Sequence, residues 1–565
     1  MYQIETDASH RLTRCRVIPK MLALAIILTI STGFDTSKAL PPASQADASA
    51  TLQPASLADA AATLQPTSQA DTAATLRHPL PADTSTTKAH AFNWRRDGNV
   101  NPLLIAAVQP KPAPSEFRVA PEPVHNWETG EGKSYLIPAI EIPAFLILLN
   151  IHDRFAFREE RSEDGQRVYS SNLSTTWEHL KRQNWKHDRD PFNVNQFGHP
   201  YQGATMYGVA RSTGLSFWES AVYSNVGSFL WEMAGETGHP SVNDMATTGT
   251  SGSLLGEALF RMSALVLKDT GGKPDLWHEL GAAVLSPTTA FNRFAFGDRF
   301  KTVYPGNAPA TFWRFRFGAT LSGSSEQVAT ADFNIAYGLP GKIGYSYKRP
   351  LDYFDFQITG LSSSGNPLSS VLLRGLLYGK PYQMGDDHRG IWGLYGSYDY
   401  ISPGAFRVSN TALSLGTTGQ YWVAPGVALQ GSLLGGAGFG AAGVSPTVEG
   451  ERDYHYGLTP QGIMALRLLF GDRAVIELVG RGYYVSGTGS DDSDGSERLT
   501  RAVANLNVRV TGRHGMGLQF VRSTRDAHYG QLPSRQTRDN TLSLVYTFLG
   551  DTRFGAVEWR NIGDR

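Results

Sequence analysis

From Thr311 onward, apolar and polar positions alternate residue by residue. In the run TFWRFRFGATL, Trp313, Phe315, Phe317, Ala319 and Leu321 share one parity, and Arg314, Arg316, Gly318 and Thr320 the other. In AVIELVGRGYYV, Ile476, Leu478 and Tyr484 oppose Glu477 and Arg481. In ANLNVRVT, Leu506, Val508 and Val510 oppose Asn505, Asn507, Arg509 and Thr511. Successive strand side chains point to opposite faces, so each run carries one apolar and one polar face. A barrel with a lipid face and a polar lumen has this pattern, and a soluble sandwich alternates too. Connection lengths favour the barrel. Residues 512–515, 471–473 and 424–426 read as tight turns, whereas 523–539, 487–498 and 440–456 read as long polar loops. Outer-membrane barrels alternate short periplasmic turns with long external loops. The 379–390 connection breaks the alternation by reading long where a short turn is expected. The expected fold is mainly β with an α-helical block: several helices, then an antiparallel transmembrane β-barrel of about twelve strands over 306–550.

Before Thr311 the period is helical. Tyr135 to Phe155 is strongly apolar, with Pro138 and Pro143 inside it, and is short for a membrane span. Residues 204–235 and 249–268 predict further helices. In the first of these, Asn225, Ser228, Glu232 and Glu236 recur at spacings that put them on one face. In the second, Gly252 and Gly256 form a small-xxx-small pair that permits close backbone approach. Residues 131–305 are therefore expected to form a compact helical block on the periplasmic side of the barrel or inside it as a plug.

The N-terminal segment adds an address. Arg11, Arg14, Arg16 and Lys20 precede the apolar run Met21 to Ile30, and Ser37 and Ala39 suit cleavage, so 1–39 reads as a signal peptide. Residues 42–77 hold three copies of a twelve-residue unit, PASQADASATLQ, PASLADAAATLQ and PTSQADTAATLR. Such Ala/Ser/Thr/Pro-rich units bury too little surface to offset chain entropy, so 40–130 is expected to be a disordered periplasmic leader. Residues 551–565 are left as a C-terminal tail. Net charge is zero, which removes the usual electrostatic argument for nucleic acid. Cys15 is the single cysteine, so intramolecular disulfides and cysteine metal sites are excluded. The expected location is the outer membrane of a Gram-negative cell, with outer-membrane lipids and the barrel-assembly machinery as partners.

Candidate chemistry is sparse. His199, Glu232, Glu236, Asp244 and Glu257 lie in the helical block, and a histidine among carboxylates can bind a metal or transfer protons. No HExxH spacing accompanies them, and no cofactor is assigned. Asp188, Asp190, Asn193 and Asn195 offer oxygens to calcium, as does the acidic run 491–497, without the glycine and terminal glutamate of an EF-hand loop. The run GTSGS at 249–253 is not a GxSxG elbow. The polar parity of the strands supplies lumen candidates: Arg314, Arg316, Arg467, Arg481 and Arg509 against Asp332, Asp355 and Glu477. An arginine-lined pore favours anions; a charge ladder filling the interior is the alternative.

A family resemblance rests on particular runs. These are DRDPFNVNQFGHPYQG (188–203), FWESAVYSNVGSFLWEMAGETGHPSVND (217–244), GTSGSLLGEALFR (249–261), RPLDYFDF (349–356) and YDYISPGAFRVSNTALSLGTT (398–418). With them, residues 134–549 resemble a bacterial family, domain of unknown function 3943, found in predicted outer-membrane proteins. The resemblance implies surface localisation and the order of helical block then barrel, and it brings no reaction or ligand. The functional expectation is a channel, transport or structural envelope barrel. The alternative is an enzyme acting on envelope lipids, a hydrolase or acyltransferase, through the His/Glu/Asp set of the helical block.

Overall fold

The structure is a computed structural model. It describes residues 130–550 and 554–555, apart from 163–164, 183, 189, 269–273, 297–309, 323–328, 339–344, 363–366, 404–405, 444–453, 488–494 and 530–533. The expected signal peptide and repeat leader, Cys15, most of the acidic run at 491–497 and most of the expected tail lie outside the described residues.

Twelve antiparallel strands close into a barrel. They are β1 (Thr311–Ser322), β2 (Ala329–Tyr337), β3 (Phe354–Leu361), β4 (Leu368–Met384), β5 (His388–Ile401) and β6 (Arg407–Ala424). The second half comprises β7 (Val427–Gly443), β8 (Tyr454–Phe470), β9 (Ala474–Val485), β10 (Gly495–Thr511), β11 (His514–Tyr529) and β12 (Arg535–Leu549). β1 closes the ring by pairing with both β2 and β12, so no edge remains to template another chain. The start of β1 and the end of β12 lie at the tight-turn end, where Arg314 faces Leu549 and His514 faces Phe548. Gly426, Gly471 and Gly512 take the left-handed backbone that tight hairpins need.

One expected loop is corrected. The 379–390 connection is not long: β4 runs to Met384, β5 starts at His388, and Pro381 sits in the ladder opposite Ile391. Gly379, Lys380 and Pro381 look like turn residues, yet here cross-strand pairing overrides local preference.

The helices are α1 (Leu136–Ala156), α2 (Leu173–Arg182), α3 (His199–Ser212), α4 (Phe217–Ala234), α5 (Val242–Ala246), α6 (Gly252–Lys268), α7 (Leu276–Leu285) and α8 (Pro287–Ala295). The expected 204–235 helix is two. Gly214 breaks it with φ +91°, and Ser216 opens α4 with a capping box in which Glu219 accepts from its backbone N–H at 2.8 Å. α3 and α6 touch through glycines: a Cβ on Gly203 would stand 1.8 Å from the Thr248 carbonyl oxygen, and one on Gly252 would stand 2.6 Å from the Gly203 Cα. The small-residue spacing read from the sequence thus marks a close helix contact, with a Cβ on Gly256 only 2.7 Å from Tyr207.

Of the two expected placements, periplasmic side or plug, side-chain parity speaks against the plug. Ser397 and Asp399 of β5 face inward with Arg374, while Tyr398 and Tyr400 face outward. It is the outward residues that meet the helices. The Tyr398 hydroxyl donates to the Gln196 carbonyl at 2.6 Å. Phe192 packs on Tyr400 and edge-on against Tyr454, with ring centroids 5.6 and 5.2 Å away. Ser251 bonds Thr411, and Leu254 lies over Gly396. Ile335, Phe356 and Leu373 join the same buried cluster as Leu254 and Leu255. The helical block is therefore docked on the outside of the wall. Plugging would require contact with the inward parity, where the cavity lining is made of barrel residues.

Candidate functional site

Two buried polar regions result, one in the block and one in the barrel. The first begins at a π-helical turn, Val194–Gly198, which leads into α3 with His199 as its first residue. A second π-helical turn, Thr247–Ser251, joins α5 to α6. Single π turns interrupt the regular ladder and recur at functional sites. Here they bring His199 to Asp244 of α5, with His199 Nε2 3.8 Å from Asp244 Oδ1. Asp188 completes a trio whose donor atoms all lie within 4.8 Å of one another.

Neighbouring groups fix these side chains. Asn243 donates to Asp244 Oδ1 at 2.8 Å, accepts the Asp188 backbone N–H at 2.8 Å, and donates to the Tyr456 hydroxyl of the barrel wall at 2.9 Å. Ser241 caps α5 and accepts the Asp244 N–H. Glu232 accepts the Ser241 N–H at 2.7 Å, and Glu236 accepts the Trp231 indole N–H at 3.0 Å. The Asp190 N–H reaches Asp188 at 3.2 Å, and the Asp190 carbonyl accepts from Tyr454 at 2.6 Å. Burial pushes the Asp190, Glu232 and Asp244 carboxyls well above their ordinary range, and neighbouring carboxylates push further. Glu236 is pushed up to about 8 by burial and by Asp188 and Asp244. His199 is held down by burial, against the opposing pull of Asp190 and Asp188.

Of the sequence candidates, Asp188, Asp190, His199, Glu232, Glu236 and Asp244 are thus brought into one electrostatic cluster. Asn193 precedes the π turn, and the Asn195 amide is used on Tyr454 at 2.9 Å. Glu257 stands apart. Its carboxylate accepts from Tyr207, Arg211 and Arg261, each at 2.7 Å, and Arg261 continues to Asp352 at 3.1 Å. Burial alone would raise its pKa, but Arg211 and Arg261 outweigh that and hold it down to about 2. Glu257 ties α3 and α6 to the β2–β3 connection.

The second region is the barrel interior. Arg314 and Arg467 hold Glu477 at 2.7 and 2.8 Å, and Arg316 holds Asp332 at 2.6 Å. Arg481 reaches Asp399 at 3.3 Å, and Arg525 meets Glu497. A cavity of about 140 Å³ is lined by six arginines (314, 316, 374, 467, 481 and 501) against three carboxylates, Asp332, Asp355 and Glu477. The predicted Arg509 also lies on the inward parity, opposite Gly515, its guanidinium 5.7 Å over the Phe554 ring. Nε and Nη1 of Arg374, and Nε and Nη2 of Arg509, are buried donors with no hydrogen-bond partner among the described residues. Sequence reasoning missed Arg374, Arg501 and Asp399, and also the outward tyrosines 398, 400, 454 and 456. The alternation in YDYIS held the signal for Asp399 and its flanking tyrosines.

The fold and these sites define a closed antiparallel barrel of outer-membrane type carrying a helical block on its outer wall. The family described as Domain of unknown function (DUF3943) matches residues 184–288, which hold the histidine–carboxylate cluster. No curated protein matches the chain. Among solved structures, the chain is similar to the outer membrane channel DcaP of Acinetobacter baumannii at 9% identity, over 42% of this chain and 96% of that one, with a TM-score of 0.19. A BenF-like porin from Pseudomonas fluorescens Pf-5 is similar at 10% identity, over 43% and 97%, with a TM-score of 0.12. At such scores the barrel assignment rests on the chain's own strand pairing.

Proposed function

We propose that the chain works in the outer membrane as a narrow, anion-selective transport barrel. The observation that carries this reading is the arginine excess of the interior, with guanidinium donors of Arg374 and Arg509 that have no hydrogen-bond partner among the described residues. An unmade buried donor costs free energy, and an anion or water entering the cavity satisfies it. Rings of arginine favour anions in a pore. The small cavity and the Arg314–Glu477–Arg467 bridge restrict passage to small anions. In this reading the tight turns face the periplasm, which puts the start of β1, and the leader at 40–130 before it, on that side.

The test is the zero-current potential of the purified full chain in a planar bilayer across a potassium chloride gradient. The expected value lies toward the chloride equilibrium potential, and Arg374→Ala shifts it toward zero. A silent barrel, or a potential toward potassium, defeats the reading.

A further inference from the structure

We propose that Asp188, His199 and Asp244 hold one divalent transition-metal ion of the manganese, iron or zinc class. The three come from three separate parts of the block, yet their donor atoms lie within 4.8 Å of one another. Two donors bound at about 2.1 Å and at the tetrahedral angle stand about 3.4 Å apart. The His199–Asp244 separation of 3.8 Å is close to that spacing, and no pair in the trio exceeds 4.8 Å, so small side-chain rotations draw the three donors onto one ion.

The histidine supplies the independent observation. His199 is 8% exposed, and its Nδ1 has no hydrogen-bond partner among the described residues. Its Nε2 is the ring nitrogen that faces Asp244, and a buried imidazole turned to carboxylates is suited to a metal. The donor set selects the ion. Calcium and magnesium favour oxygen alone, thiophilic ions favour sulfur, and one imidazole with two carboxylates suits manganese, iron or zinc.

The surroundings fit the same role. Asn243 orients Asp244 and the Asp188 backbone together and is itself held by Tyr456 of the barrel wall. Outer partners of this kind commonly tune affinity by about 10–100-fold. Glu232 and Glu236 are turned to Ser241 and Trp231 and are not ligands. The site is thus completed by docking of the block on the barrel.

The experiment uses the full chain purified in detergent, stripped with chelator and titrated separately with Mn2+, Zn2+, Ca2+ and Mg2+ by calorimetry. One Mn2+ or Zn2+ per chain is expected, bound at least 10-fold more tightly than Ca2+ or Mg2+. His199→Gln and Asp244→Asn are expected to weaken it at least 10-fold. Asp275→Asn, in the exposed Asp275–His278 pair, leaves it unchanged. Should both site variants fail to fold, the wild-type Mn2+ complex decides by its electron paramagnetic resonance. Nitrogen hyperfine coupling from one imidazole supports the site, and its absence overturns it. No binding by wild type, preference for Ca2+, or binding indifferent to both substitutions in folded protein also overturns it.

Discussion

The outer wall of the barrel has two regions built on the same alternation. On β9 to β12, outward Leu478, Leu506, Val510, Leu518 and Leu544 are exposed, as a lipid-facing wall requires. On β2 to β5 and at the start of β8, outward Ile335, Phe356, Leu373, Tyr398, Tyr400 and Tyr456 are buried under helices. The bare region carries aliphatic and aromatic side chains, Phe520 and Tyr484 among them. The covered region carries hydroxyls that would be left unpaired in hydrocarbon, and the helices supply their partners. Alternation therefore tells which residues point out, and the chemistry of those residues tells what covers them.

The largest effect is expected at the anchor of the covered region. Glu257→Leu leaves Arg211 and Arg261 buried without their carboxylate, and breaking a buried pair costs about 3–5 kcal/mol. Proteolysis should then release the helices while the barrel keeps its heat-modifiable gel mobility. Acid acts through the same group. The Glu257 carboxyl titrates ordinarily at 4.5 and here at about 2. Its contribution is complete above the higher value and is lost as pH falls through the lower one. Helix release measured against pH should therefore rise between those values. Protection that is unchanged in both tests would remove Glu257 from the anchor.

A smaller effect separates two outward glycines. A Cβ on Gly396 would meet Leu254 at 2.9 Å, whereas one on Gly435 meets nothing within 4 Å. Gly396→Leu should cost about 1–3 kcal/mol by overpacking, and Gly435→Leu should change the unfolding midpoint little. Equal effects would erase the distinction between the regions. Smaller again is Tyr398→Phe, which removes the bond to Gln196 and should cost about 1 kcal/mol. Tyr484→Phe on exposed wall should cost nothing measurable.

The strands were legible because the period of two survives wherever one face is polar: Arg314, Arg316, Glu477 and Arg481 all point inward. The glycine pair 252/256 was legible as a packing signal and lies against Gly203 and Tyr207. The break at Gly214 was missed although the polar run RSTGLS at 211–216 interrupts the apolar pattern, and the Ser216–Glu219 capping box was the local signal. The plug alternative is not needed by the polar face of α4. That face is satisfied within the block, with Ser228 on the Asp244 carbonyl and Glu232 on the Ser241 N–H. From the sequence the cluster's residues stood in two separate sets, His199, Glu232, Glu236 and Asp244 with Glu257, and Asp188 with Asp190. Its convergence depends on two π turns and the α5 cap, and no spacing in the sequence encodes it.

Docking of the helices on the outside of the wall is the central claim, and a cysteine pair tests it most directly. Cys15 is the only native cysteine, so an introduced pair reports without interference once Cys15 is replaced. The hydroxyl oxygens of Ser251 and Thr411 are 2.5 Å apart, one on the helical block and one on the outward parity of β6. Ser251→Cys with Thr411→Cys should form a disulfide on mild oxidation of the folded barrel, seen as a mobility shift that reductant reverses. Failure of that pair, with cross-linking of Ser251→Cys to the inward-facing Ser414→Cys instead, would contradict the account.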